Sequence, residues 1–268
     1  MKVCNVDRTV FYKIVKAYFN ALGRDPVACE IGVLKGDNAE QILNIIKPKK
    51  LYLIDEWKCE DKHLEKHNEY HKAYLSWELN EKSVKKIQRY YGGDLNSQST
   101  YDKLYTLVEN KFKDCEHVTI LRKSSIDAFK ELEKREKSDF DFCYIDADHY
   151  YESVLDDLLF FSRKLSEIGL IQINDCCHSD SGVEQNFGVL EAAVKFCKLQ
   201  NFEPSLITNT DWSDAILIPQ RSKQVNLIDN IVKNSNISFV EVPNALMGAA
   251  RVIGKTKANN FKGNISFN

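Results

Sequence analysis

The stretch Ala28-Cys29-Glu30-Ile31-Gly32-Val33-Leu34-Lys35-Gly36-Asp37 constrains this chain more than any other. An apolar lead-in from Pro26 enters it, and the helical run Asn38 to Ile46 leaves it. A short buried strand, a glycine turn and a helix N-terminus, in that order, bring backbone close to a nucleotide-like ligand. Gly32 is expected to take a positive φ or to let a ligand approach, and Gly36 to permit a tight entry into the helix. Twenty-five residues after Glu30, a second apolar run, Lys50-Leu51-Tyr52-Leu53-Ile54, ends in Asp55-Glu56. A carboxylate at that separation is where dinucleotide- and nucleoside-binding folds hold ribose hydroxyls.

The rest of the chain sets this unit in a larger sheet. Apolar residues at helical spacing over 7–22 predict a helix that Gly23 terminates. Strand 27–32, helix 37–46 and strand 50–55 form one β-α-β unit. The alternation resumes with strands at Val118–Leu121, Phe140–Ile145 and Leu170–Ile173 and helices at 126–134, 151–165 and 183–200. Runs at 205–208 and 214–218 are close enough to pair as an antiparallel hairpin. The predicted class is α/β: a Rossmann-like, doubly wound, mostly parallel sheet of seven strands with an antiparallel edge strand. Residues 57–115, charged and tyrosine-rich, are expected to form a helical lid insertion, with helices near 60–78, 81–91 and 99–113. One domain then covers 1–221. Residues 222–268 form a C-terminal extension with a helix at Val225–Val232, a strand at Ile237–Val242 and an Asn/Lys-rich end expected to fray.

Composition narrows the function. With 37 basic and 39 acidic residues the net charge is −2, so nothing marks a nucleic-acid footprint or a membrane-binding surface. Apolar runs fall short of the ~18 residues of a membrane span, and Met1-Lys2-Val3-Cys4 lacks a signal-peptide core. The eight cysteines show no Cys-x-x-Cys pairing. Reduced thiols in a cytoplasmic protein are the expectation, without a structural zinc.

In an open α/β sheet, ligands bind outside the carboxyl ends of the strands. The five strand ends here deliver Glu30 and Gly32, Asp55 and Glu56, Ser124-Ser125, Asp146-Ala147-Asp148-His149, and Asn174-Asp175-Cys176-Cys177-His178. Asp, Asn and Ser also cap helices, and for Ser124 and Ser125 capping explains the residues as well as ligand contact does. At the last two ends a cap needs one oxygen, whereas the chain supplies three acids and two histidines.

Residues 30–36, Leu53-Ile54-Asp55-Glu56-Trp57 and Tyr144-Ile145-Asp146-Ala147-Asp148-His149-Tyr150-Tyr151-Glu152-Ser153-Val154 resemble class I S-adenosylmethionine-dependent methyltransferases. The branch they resemble most contains macrolide-sugar and cephalosporin-pathway O-methyltransferases, with similarity also to catechol O-methyltransferases. Gly169 to Asp175 and Gly188 to Phe196 fit the same branch, and the resemblance spans roughly 10–220. It implies that Glu30, Gly32 and Gly36 line the cofactor site, that Asp55 holds the ribose, and that Ser125 and Ile126 meet the adenine. Asp146, Asn174 and Asp175 would form the Mg²⁺ cluster used by some members, since all three offer hard oxygen donors. The Asn174-Asp175 pair departs from relatives that carry two acids or Asp-Asn there, and lowers the charge of the site.

Methyl transfer from a sulfonium requires alignment and a deprotonated acceptor. Asp146, His149 and His178 are the candidate catalytic residues, with structural hydrogen bonding the alternative role for each histidine. The reading is O-methylation of a small-molecule hydroxyl, on a sugar or a natural-product intermediate. The tail is left as a candidate docking segment for a second subunit. A nicotinamide-dependent oxidoreductase would share the glycine turn, but the chain adds the hairpin. A non-catalytic binding protein that keeps the fold is the other rival. Cys59, His63, His67 and His71 stand four apart. Strung over ~18 Å of helix they cannot share one metal, and a solvated or cofactor-covering helix face is the alternative. Tyr70, Tyr74, Trp77, Tyr90 and Tyr91 either wall an acceptor pocket or pack among themselves.

Overall fold

Period-two alternation in the central strands divides the apolar residues between two layers, and that division builds the molecule. The computed structural model describes residues 1–59, 81–135, 140–177, 188–210, 212–220, 223–257 and 260–267. In chain order the elements are β1 (Lys2–Cys4), α1 (Arg8–Ala21), β2 (Val27–Ile31), α2 (Asp37–Ile45), β3 (Lys50–Asp55), α3 (Glu81–Tyr91) and α4 (Gln98–Phe112). There follow β4 (Val118–Arg122), α5 (Ser125–Arg135), β5 (Phe140–Ile145), α6 (Tyr151–Ser162), β6 (Leu165–Ile173), α7 (Val189–Gln200), β7 (Phe202–Thr208) and β8 (Ala215–Pro219). The chain closes with α8 (Lys223–Lys233), β9 (Phe239–Glu241), a 3₁₀ turn, β10 (Arg251–Lys257) and β11 (Asn260–Ser266).

Strand β2 sends Val27, Cys29 and Ile31 into the layer that α5, α6 and α7 cover. Its Ala28 joins the opposite layer, filled by Phe11, Tyr18 and Phe19 of α1, Ile42 of α2, Val108 of α4 and Ile228 of α8. The sheet order is β4-β3-β2-β5-β6-β8-β7-β1-β9. Pairs from β4 to β6 are parallel, and β8 runs antiparallel to both neighbours. The chain winds outward from β2 to β4, then returns to β5 on the other side of β2. Their carboxyl ends therefore flank the crevice where the winding reverses, which is the ligand position of such sheets.

Three expectations need correcting. The sheet has nine strands among the described residues rather than seven. The hairpin β7–β8 is not its edge, because β1 pairs in parallel with β7 and β9 pairs antiparallel with β1. Three-residue strands are too short to display alternation, so β1 and β9 carry little sequence signal. The Asn/Lys-rich end does not fray throughout: β10 and β11 form a second, two-stranded antiparallel sheet. Asn209 ties it to the loop after β7, accepting from Ile265 N at 2.7 Å.

The region expected to be a lid divides. Helix α4 buries Tyr101, Leu104, Val108 and Phe112 in the layer beside α2, so it is the crossover that parallel neighbours β3 and β4 require, not a cover for the rim. The helix expected near 60–78, with His63, His67, His71, Tyr70, Tyr74 and Trp77, lies outside the described residues. Among the described residues, no helix is long and apolar enough to cross a membrane.

Candidate active site

The glycine turn is held from β3. Asp55 Oδ2 accepts the N–H groups of Val33 and Leu34, both at 2.9 Å, and its Oδ1 accepts that of Trp57 at 2.8 Å. Trp57 Nε1 donates to the Leu34 carbonyl at 2.9 Å. These bonds maintain positive φ at two non-glycine residues, Leu34 (50°) and Trp57 (39°). Gly32, at φ 86°, has no room for a side chain, since an added Cβ would lie 2.0 Å from the Asp146 carbonyl oxygen. Gly36 supplies the left-handed N-cap of α2 (φ 72°).

Glu30 is buried, with Oε1 accepting from Asn38 Nδ2 at 3.0 Å. Its Oε2 has no hydrogen-bond partner among the described residues. Burial pushes the Glu30 carboxyl up to about 8, against the pull of the Asn38 amide. Asn38 Oδ1 in turn accepts from Tyr12 OH at 2.5 Å.

Arg8, at the first position of α1, joins four elements. Its Nε donates to the buried Asp214 at 3.1 Å, ahead of β8, and its terminal nitrogens reach Asn174 Oδ1 and, at 3.5 Å, Asn38 Oδ1. Burial works against the Arg8 charge, and Asp214, Tyr144 and Asp146 more than offset it. Arg8 has only donors to offer, so the Asn174 oxygen faces it and the Asn174 amide turns to Asp146 Oδ1 at 3.0 Å.

The Asn174 oxygen, one of the three expected metal ligands, thus accepts from Arg8. His149 also stands at this point: Nε2 lies 3.4 Å from Asp146 Oδ1 and 3.7 Å from Asp175 Oδ2. One ligand atom each from Asp146, His149 and Asp175 lie within 4.8 Å of one another, close enough to share one divalent ion. Asp175, buried and at φ 54°, has its carboxyl pushed up to about 7 by burial, with His149 pulling the other way.

Ser125 opens α5 beside the buried Asp157 of α6, whose carboxyl burial pushes up to about 7 against the pull of the Ser125 hydroxyl. Tyr91 packs on Tyr101, while Tyr90 remains 58% exposed beside Lys35, whose Nζ lies 4.4 Å from the ring centroid. The structure thus brings Glu30, Asp146, His149, Asn174 and Asp175 together. His178 lies outside the described residues. Arg8, Asn38 and Asp214 went unread as site residues because they lie far apart along the chain, and no local spacing relates them.

No curated protein sequence matches the chain. The structure is similar to an O-methyltransferase from Bacillus cereus in complex with SAH (12% identity, 80% of this chain and 83% of that one, TM-score 0.45). It is also similar to the O-methyltransferase TomG from Streptomyces achromogenes (11%, 80% and 82%, TM-score 0.43) and to fibrillarin from Aeropyrum pernix (11%, 77% and 76%, TM-score 0.43). The family described as "Methyltransferase domain" matches residues 29–176, from the strand before the glycine turn to the residue after Asp175. That match takes in the turn, its Asp55 brace and the Asp146–His149–Asp175 cluster, and with more than half of the sequence inside it, the chain belongs to the methyltransferase-domain family.

Proposed function

We propose that the chain transfers the methyl group of S-adenosylmethionine to a hydroxyl of a small molecule, such as a sugar or a natural-product intermediate. The observation that supports this most is an imidazole set against two carboxylates at the same rim as the glycine turn. His149 takes the acceptor's proton, and the Asp146 and Asp175 carboxylates, 3.4 and 3.7 Å from its Nε2, stabilise the imidazolium that forms. Arg8 and Asn174 keep Asp146 oriented. Glu30 and Asn38 present polar atoms at the mouth of the turn.

The spacing of Asp146, His149 and Asp175 favours a second reading, in which the three hold a divalent cation. Bound there, such an ion lowers the pKa of an acceptor hydroxyl.

Calorimetric titration with S-adenosylhomocysteine and with NAD⁺, each with and without Mg²⁺ or Mn²⁺, tests the assignment. Micromolar binding of the homocysteine compound and none of NAD⁺ is the expected result, and NAD⁺ binding alone would overturn it. With an acceptor found by screening sugars and phenols, His149→Ala should lower kcat by roughly 100-fold or more while leaving the affinity for S-adenosylhomocysteine within about threefold. Turnover unaffected by chelator would support the base reading over the cation.

A further inference from the structure

The rim of the sheet has two sides with different chemistry. Along it the strands run β2, β5, β6, β8. The glycine turn follows β2, and Asp146, His149 and Asp175 follow β5 and β6. Methyl transfer is an in-line displacement, so with the cofactor at the turn the acceptor enters from the far side of the cluster. That side is the loop between β7 and β8, one strand spacing of about 4.8 Å beyond β6.

The loop is pinned. Asn209 N donates to the Cys4 carbonyl at 2.7 Å, Ser213 Oγ to the Thr210 carbonyl at 2.7 Å and Thr210 Oγ1 to the Trp212 carbonyl at 3.0 Å. Cys176 N, next to Asp175, donates to the Ser213 carbonyl at 2.7 Å and so fastens the loop to the strand end that carries the cluster. Trp212 is nevertheless 38% exposed. Among the aromatic side chains the structure describes, Trp212 and Tyr90 are the ones more than a third exposed. Tyr90 stands at the opposite end of the rim, against Lys35 of the glycine turn. A large apolar ring held out on a rigid loop beside a reaction centre is a stacking surface for a flat ligand face. The groups around it are polar: His149, Asp146 and Arg8 all remain partly exposed. A phenol offers them one or two hydroxyls. A pyranose offers an apolar C–H face to the indole and a ring of hydroxyls to the polar groups.

We infer that Trp212 selects the acceptor by stacking on the C–H face of a pyranose ring, which presents a hydroxyl of that sugar to the Asp146–His149–Asp175 cluster. This rests on the cofactor reading given above.

The test titrates the chain, saturated with S-adenosylhomocysteine, with the methyl glycosides of glucose, galactose and rhamnose and with catechol, followed by saturation-transfer NMR. The wild-type chain should bind at least one glycoside. Trp212→Ala should weaken that glycoside by about tenfold or more, whereas Trp212→Phe, which keeps a stacking face, should stay within about threefold of wild type. In both variants the affinity for S-adenosylhomocysteine should stay within about twofold and Tm within about 2 °C, as for a surface substitution. A saturated wild-type chain that binds none of the glycosides, or catechol alone, overturns the sugar assignment. Glycoside affinity unchanged in Trp212→Ala overturns the role of Trp212. If Trp212→Ala does not fold, the indole resonances of Trp212 in the wild-type chain decide: glycoside should shift them, and unshifted resonances overturn the inference. Failure of S-adenosylhomocysteine to bind the wild-type chain would overturn the cofactor reading, and the Trp212 assignment with it.

Discussion

Glu30 is buried and its carboxyl is raised from 4.5 to about 8. Between those values the native chain holds a proton that the unfolded chain releases, so this residue's contribution to stability is full below about 4.5 and is lost as pH rises through about 8. The loss is on the order of 5 kcal/mol. Glu30→Gln should therefore flatten the dependence of Tm on pH between pH 5 and 8.5 and raise Tm at the alkaline end. Parallel profiles for the two proteins would remove Glu30 from this role. Gly32 is a stricter residue. An added Cβ would meet the Asp146 carbonyl oxygen at 2.0 Å and sit on a backbone at φ 86°. Gly32→Ala should cost more than about 4 kcal/mol in urea denaturation or fail to fold. The need for glycine at residue 32 was legible in the sequence. Its cause was not, because the clash is with β5, more than a hundred residues away.

Among elements, the N-terminus of α1 matters most to the site. Asp7 caps the helix, accepting from Thr9 N at 2.8 Å, and so sets Arg8 at its first turn. From there Arg8 meets Asp214, whose other oxygen accepts from Gln172 Nε2 at 2.7 Å. Arg8→Met would leave Asp214 charged and buried without its cation, at a cost of about 3–5 kcal/mol, and would release the Asn174 amide. Both stability and methyl transfer should fall. At the opposite ends of the strands, buried Asp141 accepts from Val27 N at 2.9 Å and Ser166 Oγ at 2.7 Å and pairs with Arg24 at 2.8 Å. Asp141→Ala should cost a comparable 3–5 kcal/mol in denaturant, with kcat retained below the unfolding transition. Equal kinetic damage from both substitutions would contradict the separation of brace from site. Sequence periodicity located α1, β2, α2, β3 and β5 to within a residue or two. It had no means of pairing Arg8 with Asp214 across 206 residues.

At the scale of the molecule, the segment after residue 222 completes the main sheet. Ile228 and Val232 of α8 are fully buried in the layer with α1, and β9 covers β1. Met1 and Val242 exchange backbone hydrogen bonds at 2.9 and 3.0 Å. A chain ending at residue 222 would leave β1 unpaired on one side and expose that apolar face. It should express as aggregate or as a species with a cooperative Tm lowered by more than 10 °C, whereas a soluble fragment with native Tm would make the tail dispensable.

Local chemistry determined much of this protein without help from its fold. Alternating apolar runs set the α/β class, Gly32 and Gly36 marked the turn, and acids after β3, β5 and β6 marked the rim. Those features depend on neighbours a few residues away, which is the range over which periodicity and turn propensity act. Tertiary structure decided which acids are available. Asp55 proved to be bound by the turn it adjoins, Asn174 was turned by Arg8, and His149 was set against Asp146 and Asp175. Whether a polar side chain is spent or open depends on partners brought together only when the sheet closes. Spacing along the chain does not encode that distinction.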